Sequence, residues 1–268
     1  MSDTPSAAPQ EPKLEGSLYM FREPELLSKE KHSKLGISRP DSPFGFAANV
    51  RAVPLVVTEI AAAQKHYPII FTDEQNPMPL AVTGLIDDVN LFVNDKGEWD
   101  QNVYIPGYIR RYPFALAGDQ SSNRMAMIVD SAYEGIKSDS DMPFFDGDQL
   151  SAATQQAMDY CTNYERDRQV TVNFAKQLVE YNIVSNQVAQ FTPQGADQPQ
   201  PFAQYNGVEE KKLADLSEEK FLALRQSNML PILYAQLMSM GNWRLLMERR
   251  VRRFNLTGEE MLKPVTRQ

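Results

Sequence analysis

The sequence predicts an α+β fold: a mostly antiparallel sheet with a long crossing helix and a helical C-terminal section. Three observations predict it. Residues 69–129 alternate short apolar runs with turn-forming residues; residues 151–181 keep helical spacing with almost no breaker; capped helical patterns fill the chain after residue 217. Strand and helix patterns do not alternate as regular βαβ units, which argues against a parallel sheet.

Residues 1–15 mix Pro, Ala, Ser, Gln and acids and are expected to be disordered. Residues 18–43 stay polar and Pro-punctuated, with a basic cluster at Lys29, Lys31, His32 and Lys34. Residues 1–43 therefore read as a flexible arm. One α+β domain is expected over 44–256, with 214–256 as its helical section and 257–268 as a tail. Pro54 suits the first turn of a helix carrying Leu55, Val56, Ile60 and Ala63, which should stop before Pro68. Residues 69–72 read as a buried strand, Pro77-Met78-Pro79 as a turn, and 80–86, 90–93, 114–117 and 125–129 as further strands. Asn94-Asp95-Lys96-Gly97 carries hairpin-turn chemistry and would return Trp99 across the sheet.

The long helix has one stripe running from Ala157 through Tyr160, Tyr164, Asp167, Thr171, Phe174 and Leu178 to Tyr181. Residues 183–191 read as extended and 192–201 as a Gln/Pro-rich loop. Residues 207–213 read as an edge strand, because Glu-Glu-Lys-Lys occupies their interior. Ser217 with Glu218 and Glu219 opens one helix and Pro231 a second. A third sets Trp243, Leu246, Met247, Val251 and Phe254 on a common face, with Gly241 at the turn before it.

The 268 residues carry a net charge of -8, which excludes nucleic-acid binding by the whole surface. The longest uncharged apolar run, 229–240, makes a helix of about 18 Å against a hydrocarbon layer of roughly 30 Å, so no integral membrane segment is expected. The first residues lack a basic stretch followed by an apolar one, and a cytoplasmic protein is expected. The single cysteine, Cys161, reads as a core residue and excludes an intramolecular disulfide or a cysteine-based zinc cluster. There is no phosphate-cradling glycine loop and no Gly-x-Ser-x-Gly elbow; the two histidines, His32 and His66, read as solvated or locally hydrogen-bonded. No cofactor and no metal are expected.

Residues 104–114, Tyr-Ile-Pro-Gly-Tyr-Ile-Arg-Arg-Tyr-Pro-Phe, set two adjacent arginines among four aromatic rings. That setting suits a carboxylate, a phosphate or an aromatic group. Pro106 should begin a short helical turn, which puts Arg110 and Arg111 about 100° apart, one inward and one toward solvent. Two readings of the inward arginine stand: stacked beneath Tyr108 or Tyr112 as part of the core, or clamping an anion. Asp146, after Phe144-Phe145 and before Gly147, is either a turn residue or a loop carboxylate positioned for acid–base work. Near the C-terminus, Arg244, Arg249, Arg250, Arg252 and Arg253 face a single acid, Glu248. They are read as helix-dipole partners or as a docking stripe for an acidic surface.

Three features resemble the SapC family, bacterial proteins of similar length named for a surface-layer gene cluster. They are Pro-Gly-Tyr-Ile-Arg-Arg-Tyr-Pro-Phe at 106–114, Phe-Phe-Asp-Gly at 144–147, and the C-terminal order Leu216-Ser217, Tyr234, Leu237, Gly241-Asn242-Trp243. The resemblance spans about residues 44–254. It implies a link to surface layers or their export and carries over no catalytic residue.

The leading reading is a non-catalytic accessory or binding protein whose partner is a protein or a small anionic or aromatic ligand. Tyr104, Tyr108, Arg110, Arg111, Tyr112 and Asp146 are the candidate contacts, with Arg110 or Arg111 meeting the anion and Tyr108 and Tyr112 forming aromatic walls. One alternative is an enzyme for a small molecule or peptide that uses a loop carboxylate such as Asp146. Another is an assembly protein docking through Arg249, Arg250, Arg252 and Arg253. The sequence sets no oligomeric state.

Overall fold

Four stretches of chain build two units, Met1–Ser38 with Pro113–Cys161 and Arg39–Tyr112 with Thr162–Gln268. The computed structural model describes residues 17–119, 124–192 and 197–265. The stretch expected to be disordered, 1–15, lies outside them.

In chain order, the first stretch holds β1 (Pro24–Leu26), α1 (Lys29–His32) and β2 (Leu35–Ile37). The second holds β3 (Ala52–Pro54), α2 (Ile60–Ala63), β4 (Ile69–Phe71), β5 (Pro79–Val82) and α3 (Gly107–Arg110). The third holds β6 (Phe114–Asp119), β7 (Arg124–Asp130), β8 (Ile136–Ser138), β9 (Met142–Pro143), β10 (Phe145–Asp146) and β11 (Gln149–Leu150). Next comes α4 (Ala152–Tyr181), whose first turns belong to one unit and the remainder to the other. β12 (Val184–Phe191), β13 (Gln200–Val208), α5 (Glu210–Ala214), α6 (Glu218–Gln226), α7 (Leu230–Ser239) and α8 (Asn242–Phe254) complete the order. The fold is α+β, and all the strand pairings among the described residues are antiparallel.

The first unit carries three small sheets, ordered β1-β7-β6, β8-β2-β9 and β10-β11. Its core gathers Phe114, Met127, Val129, Phe144 and Cys161. The compact structure thus begins before Phe44. β1 pairs with β7, and the fully buried Asp130 carboxylate accepts the backbone N–H groups of Arg22 at 3.0 Å and Glu23 at 2.8 Å. Three-residue strands in polar, Pro-punctuated sequence are too short to show a period of two, which is why this segment reads as an arm.

The second unit is built on one sheet, β12-β13-β4-β5-β3. Its buried side chains include Val53, Ile69, Phe71, Phe174, Leu178, Leu246 and Met247. Three local expectations are corrected here. Pro54 ends edge strand β3 rather than opening a helix, a place where its missing N–H is harmless, and the helical turn starts only at Val57. Residues 90–93 form no strand, because the buried Asn90 side chain donates to Ala47 O and accepts from Phe92 N, leaving a single bridge between Val93 and Trp99. The Glu-Glu-Lys-Lys run belongs to helix α5 after β13 has ended, with good helix formers and only Leu213 buried. Beyond α8, the Met261 and Lys263 carbonyls accept hydrogen bonds from Arg250.

Other expectations match. The long helix spans Ala152–Tyr181 as its spacing predicts, with Ser151 accepting Thr154 N at its start and Asn182 at φ 51° after its end, and the turn at residues 94–97 returns Trp99 to Val93. Ser217 caps α6, accepting Lys220 N.

Candidate functional site

The arginine–tyrosine segment of the second unit is organised by one buried carboxylate. Glu59, three residues after Val56, accepts Val56 N through Oε2 at 3.1 Å, which fixes the short helical turn. Its Oε1 accepts the Tyr104 hydroxyl at 2.6 Å and Gly107 N at 2.5 Å. Tyr67, fully buried, donates its hydroxyl to Tyr104 O. These bonds hold the entrance to α3, where the Pro106 carbonyl accepts Ile109 N at 2.9 Å and Arg110 N at 3.1 Å.

The helical turn separates the two arginines as its geometry requires. Arg110 is exposed: Nε donates to Ile105 O and Nη2 to the Tyr104 hydroxyl, both at 2.9 Å, and Nη2 lies 3.6 Å from Glu59 Oε1. Its charge is therefore answered by Glu59 and by acceptors of its own segment. Arg111 is buried, at 8% exposure. Its Cζ lies 4.1 Å from the Tyr108 ring centre and 4.8 Å from that of Tyr164, two rings that meet edge to face at 6.2 Å. Among the described residues the Nε of Arg111 has no hydrogen-bond acceptor and no carboxylate stands within ion-pair distance of it.

Burial raises the Tyr108 and Tyr164 hydroxyls above the ordinary phenol range, and the Arg111 cation partly offsets that rise in both. Both rings therefore remain neutral and present π faces to the guanidinium at physiological pH. Tyr112, also buried, stacks on Phe46 with ring centres 3.9 Å apart and planes 19° from parallel. Tyr104, Tyr108, Arg110, Arg111 and Tyr112 thus share one segment built around α3. Tyr108 faces Arg111, and Tyr112 faces Phe46.

Glu59 and Tyr164 were missed as members of this cluster. Tyr164 stands in the apolar stripe of α4, but nothing in that stripe distinguishes it from its neighbours. The Val56–Glu59 spacing is a capping signal with an apolar residue where Ser or Thr would advertise it.

Asp146 belongs to the other unit. It is exposed on β10, opposite Gln149, with Gly147 at φ 61° turning the hairpin and Phe144 buried beneath. Among the described residues no arginine pairs with it.

The expected basic stripe on α8 is divided. Arg250 is fully buried; Nε donates to Asp87 Oδ2 at 2.7 Å, and Nη1 and Nη2 reach the carbonyls of Met261 and Lys263. Arg249 pairs with Asp100 at 3.0 Å and lies over the Phe92 ring, and Arg253 pairs with Asp95. Arg252 remains exposed. A continuous solvent-facing stripe is incompatible with the burial of Arg250, which sequence pattern places among ordinary surface cations.

Fold and site together define an α+β protein whose conspicuous cluster is a buried arginine between two tyrosines. The chain belongs to the SapC family, whose model matches residues 27–246. Neither the curated proteins nor the solved structures contain a match. No helix among the described residues is long and apolar enough to cross a membrane.

Proposed function

We propose that the protein is a non-catalytic, cytoplasmic accessory or binding protein serving a surface-layer or export system, and that it engages an anionic group through Arg111. The observation that carries this reading is the state of Arg111: a buried cation whose Nε–H is unanswered and which has no carboxylate partner among the described residues. Buried charges are ordinarily paired, because an uncompensated one is costly. A carboxylate or phosphate on a small ligand or partner segment supplies the missing acceptor, and the two tyrosine rings hold the guanidinium ready. Arg110 is already matched by Glu59 and Tyr104 and is assigned the supporting role. Family membership supports the surface-layer association, and the single cysteine fits a reducing compartment.

The test follows the Arg111 Nε–H resonance together with the Tyr108 and Tyr164 ring-proton resonances, which persist when the arginine is replaced, while inorganic phosphate or acetate is added. A saturable shift is expected in the wild type and in Arg110→Gln, and no response in Arg111→Met. The double variant Arg110→Ala, Arg111→Ala is expected to stay folded and lose the response. Absence of any shift in the wild type, or unfolding of the double variant, would assign the pair to architecture alone.

A further inference from the structure

The first unit contains a half-open cavity of about 170 Å³, lined by Ile37, Phe114, Met142, Phe144, Ala153 and Thr154. Its floor is aromatic and fixed. Phe114 and Phe144 are 7% and 1% exposed and meet edge to face, with centroids 5.8 Å apart and planes at 74°. Backbone bonds from Phe144 N to Leu35 O and from Ser151 N to Phe144 O pin the second ring. His32, itself buried, braces it edge-on at 6.3 Å and is held in turn by Ser28 and Glu25. The rim is different: Met142 and Ala153 are exposed.

The lining has no charged side chain, and its one hydroxyl, on Thr154, already accepts a hydrogen bond from Ser151 at 3.1 Å. Such a surface offers an incoming group dispersion and ring-edge contacts, with the Thr154 hydroxyl as its one polar group. A cavity of roughly 150 Å³ lined by Leu, Ile and Phe is known to stay dry and admit benzene, so this one matches a six-membered aromatic ring in size. Aromatic edges and a methionine thioether favour a ring over an alkyl chain of equal volume. A floor locked before binding loses little entropy when the ring enters.

We propose that this cavity is a binding site for a single aromatic ring, presented either as a small aromatic molecule or as an aromatic side chain. The site is separate from the anion reading of Arg111 and uses none of its residues.

Benzene and N-acetylphenylalaninamide serve as the two probes, titrated into the full-length protein while the methyl resonances of Ile37, Met142, Ala153 and Thr154 are recorded. Saturable shifts confined to these methyls are expected with benzene. If N-acetylphenylalaninamide gives the same shifts, the ring can arrive on a peptide; if benzene alone does, the site takes small molecules. Two filling variants at the exposed rim, Ala153→Phe and Met142→Phe, should each weaken benzene binding at least tenfold while the remaining amide spectrum is unchanged. Arg111→Met should leave it unaltered. Failure of both probes to shift these methyls, or undiminished benzene binding in both filled variants, would overturn the proposal.

Discussion

Arg250 and Asp87 form an ion pair of 2.7 Å, with side chains 0% and 7% exposed, and between them they hold the C-terminal segment by its backbone. The arginine takes the carbonyls of Met261 and Lys263; the carboxylate takes Val265 N through its other oxygen. Removing one partner strands the other in the interior. Arg250→Met or Asp87→Ala should each cost about 3–5 kcal/mol in urea denaturation and open residues 258–265 to rapid amide exchange. Arg252→Ser, at an exposed position with no side-chain hydrogen bond or ion pair among the described residues, should change stability by less than about 0.5 kcal/mol.

Asp130 has a comparable hold on the N-terminal strand. Its fully buried carboxylate accepts Arg22 N and Glu23 N, and also Ala132 N at 3.3 Å. Asp130→Ala should destabilise by about 2–4 kcal/mol, since hydrogen bonds to a charged acceptor are worth roughly 1.5–3 kcal/mol each and the stranded N–H groups have no replacement acceptor on the alanine. Limited proteolysis should then cut near residues 17–27 before it cuts elsewhere. Uniform resistance there would show that β1 is held by its strand pairing alone.

Glu59 sets the entrance to α3, so Glu59→Ala should leave Val56 N and Gly107 N without acceptors at a cost on the order of 2–3 kcal/mol. The variant should also free Arg110 from its ion pair. Its phosphate response at Arg111 should weaken because the turn loosens. An unchanged urea midpoint would remove Glu59 from the account of the site.

Tyr67 and Tyr164 supply a pH signature. Burial raises both hydroxyls above their ordinary range, whereas in the unfolded chain they ionise near pH 10. Their stabilising contribution is therefore complete below about pH 10 and is lost as pH rises above it toward the folded values. The loss approaches about 1.4 kcal/mol per pH unit for each such tyrosine. The urea midpoint should fall steeply between pH 10 and 11.5, and less steeply in Tyr67→Phe. Equal slopes in the two proteins would show that Tyr67 does not contribute.

What was readable in the sequence followed from local rules. α4 announces itself by unbroken spacing, the hairpin at residues 94–97 by its turn residues, and the opposed directions of Arg110 and Arg111 by the 100° step of a helix. What stayed hidden depends on distant partners. Arg250 looks like its neighbours on α8 until Asp87 and the tail carbonyls surround it. Strands β1 and β2 have too few residues to show a pattern before β7, β8 and β9 pair with them. Tyr164 becomes part of the arginine cluster only when α4 brings it to Tyr108.

The alternation of Arg110 and Arg111 about α3 makes the segment a rotary selector. Both side chains are chemically the same, and only their angular position decides which is neutralised at the surface and which is enclosed between rings. One residue inserted or deleted between Pro106 and Arg110 would turn the pair by about 100° and exchange or scramble these roles without altering composition. The length of that short step is therefore a structural variable in its own right, as consequential as the identity of the arginines it carries.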